Sequence, residues 1–319
     1  MTGLFAAADT NGLLQFIVIG LTTGSLYALI ALGYTMVYGI VELINFAHGD
    51  LFMLGSFLAL TLMIQLGLNE AAVASAGTGM MLLALALLFL AVPIFCAGLN
   101  WSVDRLVYKP LRSAPKLAPL VSAIGVSFVF MNIGLLWRGP VDINFPKGLI
   151  SDRDIGASIG IHYTVRDAMV IMTTIPIMIA LTIFVRYTKL GKAMRATAQN
   201  PTAASLMGIN VDRVIGSTFL IGGALAGAAS VIYCFFVGTV NYQMGFQNGL
   251  YAFTAAVVGG IGKIPGAVIG GLLIGLVQAV SRSGLVEERW TEAIIFAILI
   301  LILIFRPTGI LGSRVREKV

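Results

Sequence analysis

Four polar residues within nine positions, Glu42, Asn45, His48 and Asp50, form the densest group of chemically capable side chains in the first hundred residues. Two carboxylates, an amide and an imidazole can exchange hydrogen bonds with a passing polar solute. They do not make a metal site, because His48 lacks further ligands at usable spacing. Apolar runs at 13–38 and 51–66 flank the group closely and leave little room for an aqueous loop. Non-helical backbone at membrane depth survives only where protein or a water-filled cavity satisfies it, so the segment reads as a broken helix or re-entrant turn. Intramembrane ionisable residues of this kind mark solute paths. The alternative is a short cytoplasmic turn with Glu42, His48 and Asp50 solvated. The absence of nearby Lys or Arg weighs against it.

A second interrupted segment lies two hundred residues on. Phe46-Ala47-His48-Gly49 and Phe246-Gln247-Asn248-Gly249 each follow a span rich in small residues and precede another apolar run. Paired interruptions in two halves point to a transport path, although only Phe and Gly are identical and chance competes. Asn45, His48, Gln247 and Asn248 can supply hydrogen bonds along such a path. Phe46 and Phe246 either flank it or simply pack in the core.

A third group sits at 188–212, inside a basic stretch containing Lys189, Lys192, Arg195 and Arg213. Asn200 is suited to an N-cap, Pro201 to the first helical position, and Gly208 to a left-handed C-terminal residue. The spacing predicts a helix of about two turns, with Ala203, Leu206 and Met207 on one face beside Ala204. The surrounding charge places it on the cytoplasmic side. An apolar face there suits either a soluble partner or the lipid surface.

The elements that must position these groups are membrane spans. Of 319 residues, 58% are hydrophobic and 11% charged, with mean hydropathy +0.97, whereas soluble domains carry about 25% charged residues. The expected fold is an all-α polytopic membrane protein with about eight to nine transmembrane helices, broken or re-entrant segments and a short cytoplasmic coupling helix. It forms one transmembrane domain over 1–319, with an external loop at 139–165 and a hairpin near 155–163. His162 in that loop reads as a wet surface residue. No Lys or Arg precedes Arg105, so the first span lacks the basic flank of a cleavable signal and stays in the mature chain. Gly20 and Gly24 form a G-x-x-x-G for close helix packing. Nine crossings put the N-terminus outside, and the tail residues Arg314, Arg316 and Lys318 put the C-terminus inside.

The net charge of +6 concentrates in loops, as a topology signal does, and does not indicate nucleic acid. Cys96 and Cys234 both lie in apolar spans and outline no disulfide framework. Gly262-Lys263 and Gly191-Lys192 lack the remaining residues of a phosphate loop. No nucleophile with its base, paired carboxylates or metal constellation appears, which ranks an enzyme last. A stand-alone ion-coupled secondary carrier is the alternative; such a carrier usually needs ionisable residues inside its spans, and here they are few outside the group from Glu42 to Asp50.

Thr202-Ala203-Ala204-Ser205-Leu206-Met207-Gly208 resembles the EAA-x-x-x-G loop of ABC-importer permeases, with Thr202 where many have Glu and without the later Ile-x-Leu-Pro run. Residues 24–29, 45–49, 186–213, 255–262 and 307–312 together resemble the LivH-type permeases of branched-chain amino-acid ABC importers. That resemblance implies a second related permease, two cytoplasmic ATPase subunits, a periplasmic substrate-binding protein and a bacterial inner-membrane location. It implies ATP and Mg on the partner subunits and no cofactor on this chain. Related permeases also serve urea or short-amide importers.

Overall fold

The computed structural model describes residues 10–75, 77–115, 117–157, 160–281 and 287–312, and helices account for most of them. Helix α1 (Thr10–Val41) is the axis of the bundle. Every side chain from Thr22 to Val37 is buried. A helix that is apolar on all sides satisfies itself only when other helices surround it.

Glycines set how closely those helices approach. Helix α11 (Ile264–Val280) runs along α1. A Cβ on Gly24 would lie 2.7 Å from Leu272 Cα, and one on Gly20 2.8 Å from Leu276 Cδ2. The G-x-x-x-G at 20–24 is thus a helix–helix seam, because lipid offers no hydrophobic drive and close packing replaces it. The same device recurs where α9 (Val211–Val237) meets α4 (Thr78–Val103). There a Cβ on Gly227 would lie 2.6 Å from Pro93 Cα.

Helices α2 (Ala47–Gln65) and α10 (Met244–Gly259) fill the space between these pairs. They follow the two interruptions and cross at Gly49 and Gly249, where a Cβ on either would come within 2.9 Å of the other's Cα. The two segments with Phe and Gly in common are therefore in direct contact.

Helices α5 (Leu117–Arg138), α6 (Val165–Tyr187) and α12 (Thr291–Phe305) lie at the periphery and expose residues such as Leu136, Met172 and Ile304. Short elements complete the chain. They are α3 (Glu70–Ser75), α7 (Lys189–Gln199), α8 (Pro201–Leu206) and a two-residue antiparallel pairing of β1 (Ile143–Asn144) with β2 (Thr239–Val240).

Among the described residues, six helices, α1, α2, α4 with the turn after it, α5, α6 and α9, are long and apolar enough to cross a membrane, and α11 and α12 are shorter apolar helices. The chain is an all-α, multi-pass membrane protein.

The boundaries differ from the sequence expectation in three places. The first interruption is confined to 42–46, so His48 and Asp50 belong to the opening of α2 rather than to a turn. Residues 244–249, expected as part of the second interruption, open α10, where Gly245 and Gly249 let its backbone close on Asp50 and Gly49 of α2. Residues 189–199, expected as loop, form α7, capped by Thr188, whose Oγ1 accepts from Gly191 N at 3.0 Å. Arg195 donates back to the carbonyls of Val185 and Arg186, closing the end of α6.

The external hairpin is present as a bridge between Asp154 and Thr164, with Ile155 N donating to Tyr163 O at 2.8 Å. His162 is exposed and pairs with Asp154 at 2.8 Å. Partial desolvation pushes the Asp154 carboxyl up, but hydrogen bonds from the Gly156 and Tyr163 amides and from His162 outweigh it and hold the group below the ordinary carboxylate range. The tail basic residues Arg314, Arg316 and Lys318 lie outside the described residues.

Candidate functional site

Helix α1 stops at Glu42, which adopts φ 53°, a left-handed conformation unfavourable for a residue with a Cβ. The chain then turns through 43–46 without regular structure. Glu42 itself is exposed, whereas Asn45, His48 and Asp50 are all buried to 2% exposure or less.

The buried amide of Asn45 holds the turn in place. Its Oδ1 accepts from Tyr108 Oη at 2.7 Å, its Nδ2 donates to Asn100 Oδ1 at 3.2 Å, and Asn100 Nδ2 donates to Phe219 O at 2.6 Å. This chain ties the interruption to α4 and α9. It also satisfies polar groups that lipid could not. His48 packs edge-on to Tyr34 at 4.7 Å between ring centres, beside Gly33. Asp50 accepts from Ser127 Oγ of α5.

Two cavities open beside α10. A largely apolar one of about 620 Å³ lies among α5, α10 and α12, with Phe46, Phe128, Phe246, Leu250 and Phe296 in its wall. Ser127 also lines it, so Asp50 reaches this cavity only through its hydrogen bond. The other, about 530 Å³, is polar and lies among α1, α9, α10, α11 and the start of α12, with Tyr27, Asn248, Gln278, Arg289 and Glu292 in its wall. Gln247, Tyr251 and Glu292 border both. Both volumes fall in the roughly 300–1,000 Å³ range of small-molecule sites.

Of the expected path residues, Phe46, Phe246, Gln247 and Asn248 line a cavity. Glu42, Asn45, His48 and Asp50 line neither of these two and sit in or behind the interruption.

At the far end of α6 the capped helix has the expected form. Asn200 Oδ1 accepts from Ala203 N at 2.9 Å, Pro201 opens α8, and Gly208 holds φ 83°. Leu206 and Met207 are each 83% exposed, Ala203 is exposed, and Ala204 turns inward at 4%. An apolar tip is thus held clear of the bundle while Ala204 anchors it.

Next to α8 lies a charged cluster that sequence reading missed. Asp212, in the first turn of α9, pairs with Lys109 at 2.8 Å and with Arg112 at 2.5 Å. Arg112 also pairs with Asp104 at 2.6 Å, whose side chain is fully buried. Asp104 opens a single π-helical turn, Asp104–Tyr108, at the end of α4, and Tyr108 is the residue that holds Asn45. The signal available was Asn100 and Asp104, four positions apart at the end of an otherwise apolar run and so on one helix face. Among the described residues, no three His, Cys, Asp or Glu side chains are grouped to hold a metal.

Comparison with known proteins agrees with this architecture. A family model described as the branched-chain amino acid transport system / permease component matches residues 16–303. The high-affinity branched-chain amino acid transport system permease protein LivH of Escherichia coli K12 is 43% identical over 305 residues, 94% of this chain and 96% of the relative. BraD of Pseudomonas aeruginosa, with the same description, is 42% identical over 96% of this chain and 98% of its own. A xylose/arabinose import permease protein of Sulfolobus acidocaldarius is 27% identical over only 51% of this chain and 46% of its own. No solved structure matches the chain.

Proposed function

This chain belongs to the family of branched-chain amino acid transport permease components, and on that premise we propose that it carries leucine-like amino acids into the cytoplasm as one permease of an ABC importer. The observation that carries the reading is α8. A capped helix of six residues, with Leu206 and Met207 held out from the bundle, fits the groove of a soluble ATPase that this chain does not itself contain.

The complete machine would hold a second related permease, two cytoplasmic ATPase subunits and a substrate-binding protein in the periplasm. ATP and Mg belong to the ATPases, and this chain takes no cofactor. Nine crossings of the bacterial inner membrane fit the bundle if α10, α11 and α12 also span. Three short spans of 15 to 17 residues then require local thinning or tilted neighbours. The basic residues around 105–112, 186–213, 263 and 306 put that face in the cytoplasm.

The path runs from the cavities at Phe246, Gln247 and Asn248 past Phe46 toward the interruption at 42–46. Asn45, His48 and Asp50 set the shape of that interruption, and Glu42 lies at its cytoplasmic mouth. Asn200, Pro201, Ala203, Ala204, Leu206, Met207 and Gly208 form the coupling element. ATP binding moves α8, and α9 and α6, which join it through α7 and 207–210, carry the motion to the path.

The test is uptake of labelled leucine into proteoliposomes containing this chain with its neighbouring permease and ATPase subunits. Uptake requiring binding protein outside and ATP inside is the expected result. Uptake that ignores ATP and follows an ion gradient would overturn the reading.

A further inference from the structure

The two cavities beside α10 differ in chemistry and share a wall. One is lined by Phe128, Phe246, Leu250 and Phe296, and the other by hydroxyl, amide and charged groups. Gln247, Tyr251 and Glu292 stand between them. A molecule resting at this junction meets apolar surface at one end and hydrogen-bonding surface at the other.

The polar side is assembled across four helices. Tyr251 Oη donates to Glu292 Oε1 at 3.2 Å, Tyr27 Oη donates to Gln278 Oε1 at 2.8 Å, and the two tyrosine rings meet edge-to-face at 5.6 Å. Glu292 therefore sits in a fixed hydrogen-bonded setting, and an ionised carboxylate keeps further acceptor positions beyond the one Tyr251 uses. Arg289, three residues earlier at the start of the same helical segment, lines the polar cavity and pairs with Glu287. That pair is largely exposed, 75% and 63%, so a competing carboxylate can replace Glu287 at little cost.

One anion, one cation and an adjoining apolar pocket match a zwitterion with an apolar tail. We propose that this junction is a low-affinity station for an amino acid, with its ammonium at Glu292, its carboxylate at Arg289 and its side chain against Phe246 and Leu250. The assignment rests on the importer reading above. A weak station suits a path, since tight binding would slow release.

The importer offers a direct probe. Cys96 and Cys234 are both fully buried, so Gln247→Cys introduces an accessible thiol at the cavity wall, and its labelling is read on this chain after the subunits are separated. Its rate of modification by a small methanethiosulfonate is measured in the reconstituted importer without binding protein. Leucine should slow the reaction, whereas 4-methylpentanoate, lacking the ammonium, and 3-methylbutylamine, lacking the carboxylate, should not at the same concentration. Adding Glu292→Gln or Arg289→Gln should raise the leucine concentration for half-protection about tenfold, as expected for one lost charge-assisted contact, and Glu292→Asp should restore most of it. Equal protection by all three compounds, or no protection by leucine in an importer that still takes up leucine, overturns the station and leaves the importer reading intact. Loss of ATP-driven leucine uptake by the unmodified importer removes both.

Discussion

Gly208 holds φ 83° with no atom near the place its Cβ would occupy, so the demand for glycine there is one of backbone conformation alone. Substitution separates the two effects. Gly208→Val should cost about 1–3 kcal/mol at that turn and strongly reduce co-purification of the ATPase subunits, while Gly208→Asn, which tolerates the left-handed region, should retain most of it. Equal loss in both would refute the turn as the cause. Asp154 supports a pH-dependent prediction on the other face. Its folded pKa is depressed, so its contribution to the hairpin is fully present above the unfolded value of about 3.9 and is lost as pH falls through the folded value. The protection factors of the Gly156 and Tyr163 amides should fall across that acid window, and in Asp154→Ala they should already be low at neutral pH. At this scale the capping residues were legible, because Asn200, Pro201 and Gly208 act on their own neighbours. The partners of Asn45 were not, because Tyr108 lies 63 residues away.

Helices meet through buried hydrogen bonds, glycine contacts and ion pairs. Gly24→Leu should prevent α1 and α11 from closing, since a first side-chain carbon already falls 2.7 Å from Leu272 Cα. The expected outcome is loss of folded permease, read by size-exclusion chromatography in detergent, while Gly125→Leu, whose Cβ would meet open space, should be tolerated. The cluster of Lys109, Arg112, Asp104 and Asp212 ties the start of α9 to the turn that ends α4. Arg112→Ala leaves the buried Asp104 carboxylate unpaired and should cost about 3 kcal/mol, the low end for such a loss because Arg112 is 21% exposed. Asp104→Asn in the same chain should recover much of that in thermal unfolding. Lys109→Ala, in a half-exposed pair, should change stability by about 1 kcal/mol or less. The long apolar helices were legible from composition. Helix α7 was not, because its pattern is polar on one side and its stability comes from Thr188 and from packing of Met194 against the bundle.

At the level of the whole molecule, the packing relates α1, α2, α4 and α5 to α9, α10, α11 and α12. In each half the first helix packs on the third helix of the other half, and the second helices cross at Gly49 and Gly249. On the nine-crossing reading proposed above, α6 is an odd crossing between the two sets and they run in opposite senses, the arrangement that places a path at their interface. Phe46-x-x-Gly49 and Phe246-x-x-Gly249, alike in the sequence, meet where the second helices cross, and each glycine leaves room there for the other's backbone. The same arrangement holds the tip of α8 clear of the bundle, and the importer reading proposed above brings energy in there. The most direct test places a photoreactive side chain at Leu206 and irradiates proteoliposomes while they take up leucine with ATP. The account predicts a covalent product with the ATPase subunit. Adducts to lipid alone, in vesicles that still transport, would show that α8 rests on the membrane and would contradict it.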